Sequence, residues 1–294
     1  MDFFCWTIIQ KSRPPVSYSM TFATLILLIA LFLSAVMAGA WAIARRPGQS
    51  GWTDAIWSFA IGIAGVIAAL APLDGPPGTR QWLVAALVAG WALRLGLHIA
   101  IRTTKHADDP RYAELRREWG DDFSRQLFIF LQIQAAAALL LVGAIMLAAR
   151  NPAPAIAWSD LVGALILVIA VIGEGVADQQ LTRFRADPAN RGQICDTGLW
   201  GLSRHPNYFF EWLSWTAYAV IAIGPDGAFG WGWLAISGPA FMYLLLVYAS
   251  GLPPLEAHML RSRGDAFRDY QARVRAFWPL PKTPTVNSPA KEYQ

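Results

Sequence analysis

Stretches of about twenty residues almost free of charge recur along this chain, and they leave it few ways to fold. Seven such runs fall at roughly 20–43, 53–72, 80–101, 127–148, 158–179, 207–224 and 231–250. A helix of about 20 residues crosses the ~30 Å hydrocarbon layer of a bilayer. Lipid offers backbone amides no hydrogen bonds, so only helices or closed barrels can span it. The runs are continuously apolar rather than alternating, which selects helices. An all-α, polytopic membrane protein with about seven transmembrane helices is therefore expected. Composition agrees, with 55% of the 294 residues hydrophobic and 15% charged, against about 25% charged in soluble domains. The expected division is an N-terminal tail (1–18), a membrane domain (19–282, its cofactor half near 158–282) and a disordered polar tail (283–294). The first apolar run follows no small-residue cleavage site and reads as a retained helix.

Lysines and arginines test this layout, because cytoplasmic loops collect positive charge. The N-terminal tail and the second, fourth and sixth loops hold only Lys11, Arg13, Arg80 and Arg150. The first, third and fifth loops and the C-terminal tail hold nineteen basic residues, and Arg94 alone lies inside a run. The N-terminus is predicted outside and the C-terminus in the cytoplasm, as in a multi-pass protein of a bacterial inner membrane. A net charge of +4 reflects these loops. Its basic residues are scattered among acids, so no nucleic-acid partner is expected. Cys5 and Cys195 stand far apart and form neither a metal spacing nor a disulfide framework, and no metal is expected. Walker, G-x-S-x-G, H-E-x-x-H and G-x-G-x-x-G patterns do not occur, so a dinucleotide here would not lie on a Rossmann sheet.

Polar residues at membrane depth are costly unless they serve a purpose, and they mark the candidate chemistry. Asp54, one turn before Trp57 and Ser58, either caps a helix at the interface or faces a cavity as a proton donor. Arg94, His98 and Arg102 are four apart and share a helix face with Trp91 nearby; they line a polar cavity or enter a structural ion pair. Glu174 and Asp178, one turn apart and followed by Arg183 and Arg185, suit a ligand's amide or hydroxyl groups and its phosphates, or else an internal salt-bridge ladder. The densest signal is Asp196 to Trp212. Pro206 suits a first helical turn, Asn207 and Glu211 share one face, and Arg204 and His205 precede a helix N-terminus that favours anions. Residues 256–270 read as a helix broken at Gly264, with Glu256, Arg261, Arg263 and Tyr270 on a surface helix or a lid over the fifth loop.

The stretch TGLWGLSRHPNYFFEW (Thr197 to Trp212) resembles the C-terminal signature of membrane steroid 5α-reductase-like proteins, in particular their bacterial branch. It is more distantly similar to sterol C14-reductases and isoprenylcysteine carboxyl methyltransferases. The similarity runs back through DPRYAELRREWG (Asp109 to Gly120) and the third run, and forward through PLEAHMLRSRGDAFRDYQARVRAFWP, covering most of residues 50–280. The resemblance implies a seven-helix bundle whose last three spans and cytoplasmic loops hold NADPH, with a lipophilic substrate entering from the bilayer. Glu174 and Asp178 match a pair near the nicotinamide end, Arg185 a cofactor-contacting arginine, Asn207 and Glu211 cofactor-facing positions, and Tyr270 a C-terminal D-Y pair. The 5α-reductases carry an acid on the second span and a tyrosine on the third. Asp54 stands where the acid would be and Trp91 where the tyrosine would be. An indole cannot act as a phenolic acid, which speaks against steroid reduction itself rather than against NADPH.

The expected function is NADPH-dependent reduction of a C=C bond in a lipophilic enone, with Asp54, His98 or Arg94 as donor to the developing enolate oxygen. The cofactor set would be Glu174, Asp178, Arg183, Arg185, Arg191, Arg204, His205, Asn207, Glu211, Glu256, Arg261 and Tyr270. Two rivals are an S-adenosylmethionine-dependent methyltransferase acting on a lipidic substrate and a non-catalytic lipid-binding protein. The arginines of the fifth loop and C-terminal helix favour a phosphorylated cofactor over the cationic, phosphate-free S-adenosylmethionine. Substrate identity and oligomeric state stay open.

Overall fold

A computed structural model of the chain describes residues 20–46, 49–73, 75–105 and 110–281, and both predicted tails lie outside these. Among the described residues ten α-helices follow one another: α1 (Phe22–Ala44), α2 (Trp52–Leu70), α3 (Thr79–Lys105), α4 (Pro110–Trp119), α5 (Phe123–Ala149), α6 (Trp158–Ala186), α7 (Pro206–Ile223), α8 (Ser237–Leu244), α9 (Leu252–Arg263) and α10 (Asp265–Arg273). Among the described residues six helical stretches are long and apolar enough to cross a membrane: 22–44, 52–70, 79–104, 111–149, 158–186 and 230–263. The chain is a multi-pass, all-α membrane protein.

The sixth predicted run is present as α7 but differs from those six. Asn207, Tyr208 and Glu211 make its first half polar, and the helix lies inside the bundle against α6, α5 and α8. Protein rather than lipid surrounds it, so its polar groups find partners. Opposite in character is α1, whose buried residues Leu25, Ile29, Leu33, Met37, Ala40 and Ala44 form one stripe while most of its surface is left for lipid. Small residues bring α2 and α3 together. A Cβ on Gly62 would collide with Ala92, and one on Gly65 would crowd Val88.

Three departures from the predicted boundaries shape the site. First, α6 continues to Ala186, so Arg183 and Arg185 ride on a helix rather than in a loop. Second, the polar stretch after α3 contains a helix of its own, α4, which turns through Gly120 (φ +49°) into α5. Third, the last apolar run is not one regular helix. It starts as a 3₁₀ helix (Gly230–Ile236), becomes α8, and ends in a π turn (Leu245–Ala249) before breaking at Gly251 into α9. A side chain at Gly251 would strike the Leu246 carbonyl, so only glycine permits this exit.

The two ends of the bundle are held differently. At one end Arg111 of α4 pairs with Asp54 of α2, Arg116 donates to the Ala44 carbonyl (3.3 Å), and α9 and α10 are tied to the α6–α7 loop. Most arginines lie there. At the opposite end buried Arg80 forks onto buried Asp160 (Nε–Oδ1 2.8 Å, Nη2–Oδ2 2.9 Å) and also donates to the carbonyls of Asn151, Ala153 and Ala155. Asn151 in turn donates to Ile221 and Ala222 at the end of α7. One guanidinium thus ties α3, the α5–α6 turn and α6 together. Arg80→Leu leaves Asp160 charged, buried and short of its main donors, and is expected to cost about 3–5 kcal/mol. Arg80→Leu/Asp160→Leu should recover much of that loss, as read from unfolding midpoints in mild detergent.

Candidate functional site

The site grows from one residue. Arg94 sits eleven residues from the C-terminal end of α3, roughly 16 Å along the helix. A guanidinium at that depth needs anionic partners, and α6 supplies two from consecutive turns. Arg94 Nη1 lies 2.6 Å from Glu174 Oε1, and Nη2 bonds to Asp178 Oδ2. Asp178 also receives Asn207 Nδ2 of α7 (3.4 Å) and lies 3.5 Å from His98 Nε2 of α3. Glu211, one turn beyond Asn207, is buried and accepts from two indoles, Trp91 Nε1 (2.8 Å) and Trp215 Nε1 (2.9 Å). Arg94, His98, Glu174, Asp178, Asn207 and Glu211 therefore converge between α3, α6 and α7. The two sequence alternatives for Arg94 are both realised, since the ion pair lines a cavity.

That cavity is a groove of about 460 Å³ lined by Arg94, His98, Gly175, Asp178, Gln179, Thr182 and Arg183. It rises from the carboxylates toward the basic end. Two further features lie near it. Glu174 Oε2 is buried with no hydrogen-bond partner among the described residues, an expensive state for a carboxylate oxygen. Toward the basic end, Arg185 of α6 lies within electrostatic reach of Arg102 of α3 and Arg263 of α9, so three helices bring like charges together. Gly192, in the turn beyond α6, adopts φ +85° and a Cβ there would lie 3.7 Å from Arg263 Nη1.

Other predicted residues form a separate node. Arg204 and His205, expected to face an anion, meet Glu256 instead. Arg204 forks onto it (Nε–Oε1 2.8 Å, Nη2–Oε2 3.0 Å), His205 Nε2 lies 3.0 Å from Oε1, and Gln271 Nε2 donates at 2.8 Å. Arg204 Nη1 also donates to the Val274 carbonyl, and the Tyr270 hydroxyl donates to the Trp200 carbonyl (2.5 Å). Burial holds the Tyr270 phenol above its ordinary range. These contacts pin α9 and α10 under the α6–α7 loop, so Arg204, His205, Glu256 and Tyr270 act as positioning residues. Asp54 is not part of the cluster, being engaged by Arg111 and by the Tyr112 hydroxyl (3.5 Å). Trp91 is buried with its N–H committed to Glu211, which removes it as a substrate donor. Arg191 and Arg261 are exposed at the basic end.

Sequence reading missed Trp215 and Gln180. Trp215 is four residues after Glu211 on the same face, a readable signal. Gln180 Oε1 accepts from the Leu199 N–H (3.0 Å) and presses against Gly198, a contact that nothing local reveals. Residues 40–274 match a family described as a protein of unknown function (DUF1295). No curated protein and no solved structure matches the chain.

The Glu256 node should respond to pH. Burial, outweighing the nearby Glu256 carboxylate, holds His205 below its ordinary value of about 6.5. The unfolded chain then takes up a proton before the folded one does, so stability present above about pH 6.5 falls as pH drops below it. The protection factors of residues 252–277, that is exchange corrected for the intrinsic rate at each pH, are expected to fall below that pH, and His205→Gln to flatten the response.

Proposed function

We infer that this chain, which belongs to the DUF1295 family, is an NADPH-dependent reductase of a C=C bond in a lipophilic enone. The observation that supports it most is a groove between α3 and α6 whose lining joins the Asp178 carboxylate to Arg94, His98 and Arg183, with Arg185 and Arg263 within electrostatic reach of each other nearby. Arg185 on α6 and Arg263 on α9 repel each other, and an anion between them would relieve that. NADPH carries a pyrophosphate and a 2′-phosphate at one end and a carboxamide at the other. That polarity matches arginines above and carboxylate acceptors below. NADPH, when bound, supplies the hydride. Arg102, Arg183, Arg185 and Arg263 hold phosphates, with Arg191 and Arg261 at the edge of their field. Asp178, which lines the groove, accepts an amide N–H, and Asn207 and Arg94 keep it oriented.

His98 is the donor we place at the substrate oxygen. It lines the groove, its side chain is 34% exposed, and it is steadied by Asp178. Asp54 does not fill this role, because Arg111 already holds it. The resemblance of residues 197–212 to membrane steroid 5α-reductase-like proteins gives the same cofactor by a separate route. The substrate would enter from lipid, and the basic end would face the cytoplasm of a bacterial inner membrane.

A second reading has one observation in its favour. Glu174, Asp178 and Glu211 outnumber the cationic partners around them, and a surplus of carboxylates suits the sulfonium of S-adenosylmethionine. The arginines toward the basic end have no counterpart in that ligand, which is why reduction is preferred. Thermal unfolding of the detergent-purified protein decides between them. NADPH should raise the midpoint more than NADH, which lacks the 2′-phosphate, and S-adenosylmethionine should leave it unchanged. Arg185→Gln/Arg263→Gln should remove the NADPH response. Asn207→Ala should abolish NADPH-dependent turnover of a lipophilic enone while the folded state persists. A midpoint moved by S-adenosylmethionine alone would overturn the reductase.

A further inference from the structure

A second pocket, of about 670 Å³, lies at the basic end away from the α3–α6–α7 groove. It is lined by Arg45, Arg46 and Arg116 with Asp121, Phe123 and Ser124, where the end of α1 meets the corner from α4 into α5. Several contacts build it. Trp41 Nε1 donates to the Ser124 carbonyl (2.7 Å), tying α1 to the start of α5. The Arg45 guanidinium lies 4.2 Å over the Trp41 ring and that of Arg116 4.2 Å over Phe123, so aromatic faces set both planes. Among the described residues none of the three arginines forms an ion pair. Three guanidinium groups against the single carboxylate of Asp121 leave the pocket with surplus positive charge.

Its surroundings are those of a membrane interface. Below the pocket, α1 and α5 pack side by side and turn Ile43, Phe128, Ile129 and Ile133 outward, each 37–62% exposed. Trp41 stands at the boundary, its ring half-buried and its N–H satisfied. A molecule seated here meets cationic hydrogen-bond donors at its head and an apolar surface along its length. We propose that this pocket binds the phosphate headgroup of an anionic membrane phospholipid, with its acyl chains lying along the outer face of α1 and α5. Basic pockets between helices at the bilayer surface attract such headgroups. Guanidinium forks suit the phosphodiester oxygens, and Asp121 limits the charge the site tolerates. A bound lipid would staple the end of α1, through Arg45 and Arg46, to the α4–α5 corner, through Arg116.

The test uses the purified full chain in mild detergent and reads thermal unfolding and lipid adducts by native mass spectrometry. Phosphatidylglycerol should raise the midpoint and remain bound, while phosphatidylcholine and inorganic phosphate should do neither. Arg45→Gln/Arg46→Gln, both exposed side chains, should weaken phosphatidylglycerol about tenfold or more. The response to NADPH should be unaltered, so this site and the reductase reading succeed or fail separately. Should the double variant not fold, Arg46→Gln alone gives the same comparison. Equal stabilisation by phosphatidylcholine would remove charge recognition, equal stabilisation by inorganic phosphate would remove the lipid, and undiminished phosphatidylglycerol binding by the variants would remove the arginines. Any one of these overturns the proposal.

Discussion

A guanidinium cannot sit within a membrane alone, and the packing of α3, α6 and α7 is organised by that constraint. Arg94 on α3 needs anionic partners, and Glu174 and Asp178 on consecutive turns of α6 provide them. The fork sets the register of α3 against α6. Asp178 then has oxygen to spare for Asn207, which draws in the N-terminal turn of α7. One turn along, Glu211 is held by indoles from α3 and α7, closing the triangle. Removing Arg94 would leave carboxylates facing each other in a medium that screens them poorly. The polar character of α7 is thus a consequence of the same constraint. It carries the groups that complete the ion pair, and it survives because the bundle rather than lipid surrounds it.

Polarity along the bundle axis follows from a different balance. At the end with few basic residues, Arg80 and Asp160 satisfy each other and the neighbouring carbonyls, and the result is a closed structural clasp. At the opposite end there are more arginines than local carboxylates. Some are absorbed by structure, as Arg204 is by Glu256 and Arg111 by Asp54. Others gather in two places, around Arg185 and around Arg45 and Arg116. Surplus positive charge at a membrane surface is the feature that both proposed sites share, though one is proposed to take a nucleotide and the other a lipid.

Much of the site could be read from residue order. Four-residue spacing put Arg94 and His98 on one face, Glu174 and Asp178 on another, and Asn207 and Glu211 on a third, because helical periodicity converts sequence distance into direction. Spacing does not say which faces meet. Arg204 and His205 illustrate the gap. Before a helix N-terminus they looked ready for an anion, but Glu256, 52 residues away from Arg204, is the anion they meet. Asp54 was equally readable as a membrane acid, and its partner Arg111 lies on a helix hidden within what looked like a polar loop.

The amino-acid order alone determined that the chain spans a membrane as helices, roughly where they begin and end, and that basic charge collects on one side. Those properties depend on hydrophobicity and periodicity summed over about twenty neighbours. Tertiary structure decided which charged groups neutralise each other and which do not. It ran α6 past its apolar segment to carry Arg183 and Arg185, and it broke the last run at Gly251 so that α9 could return beneath the site. Ion pairing depends on distances of a few ångströms between residues far apart in the chain, and packing alone sets those distances.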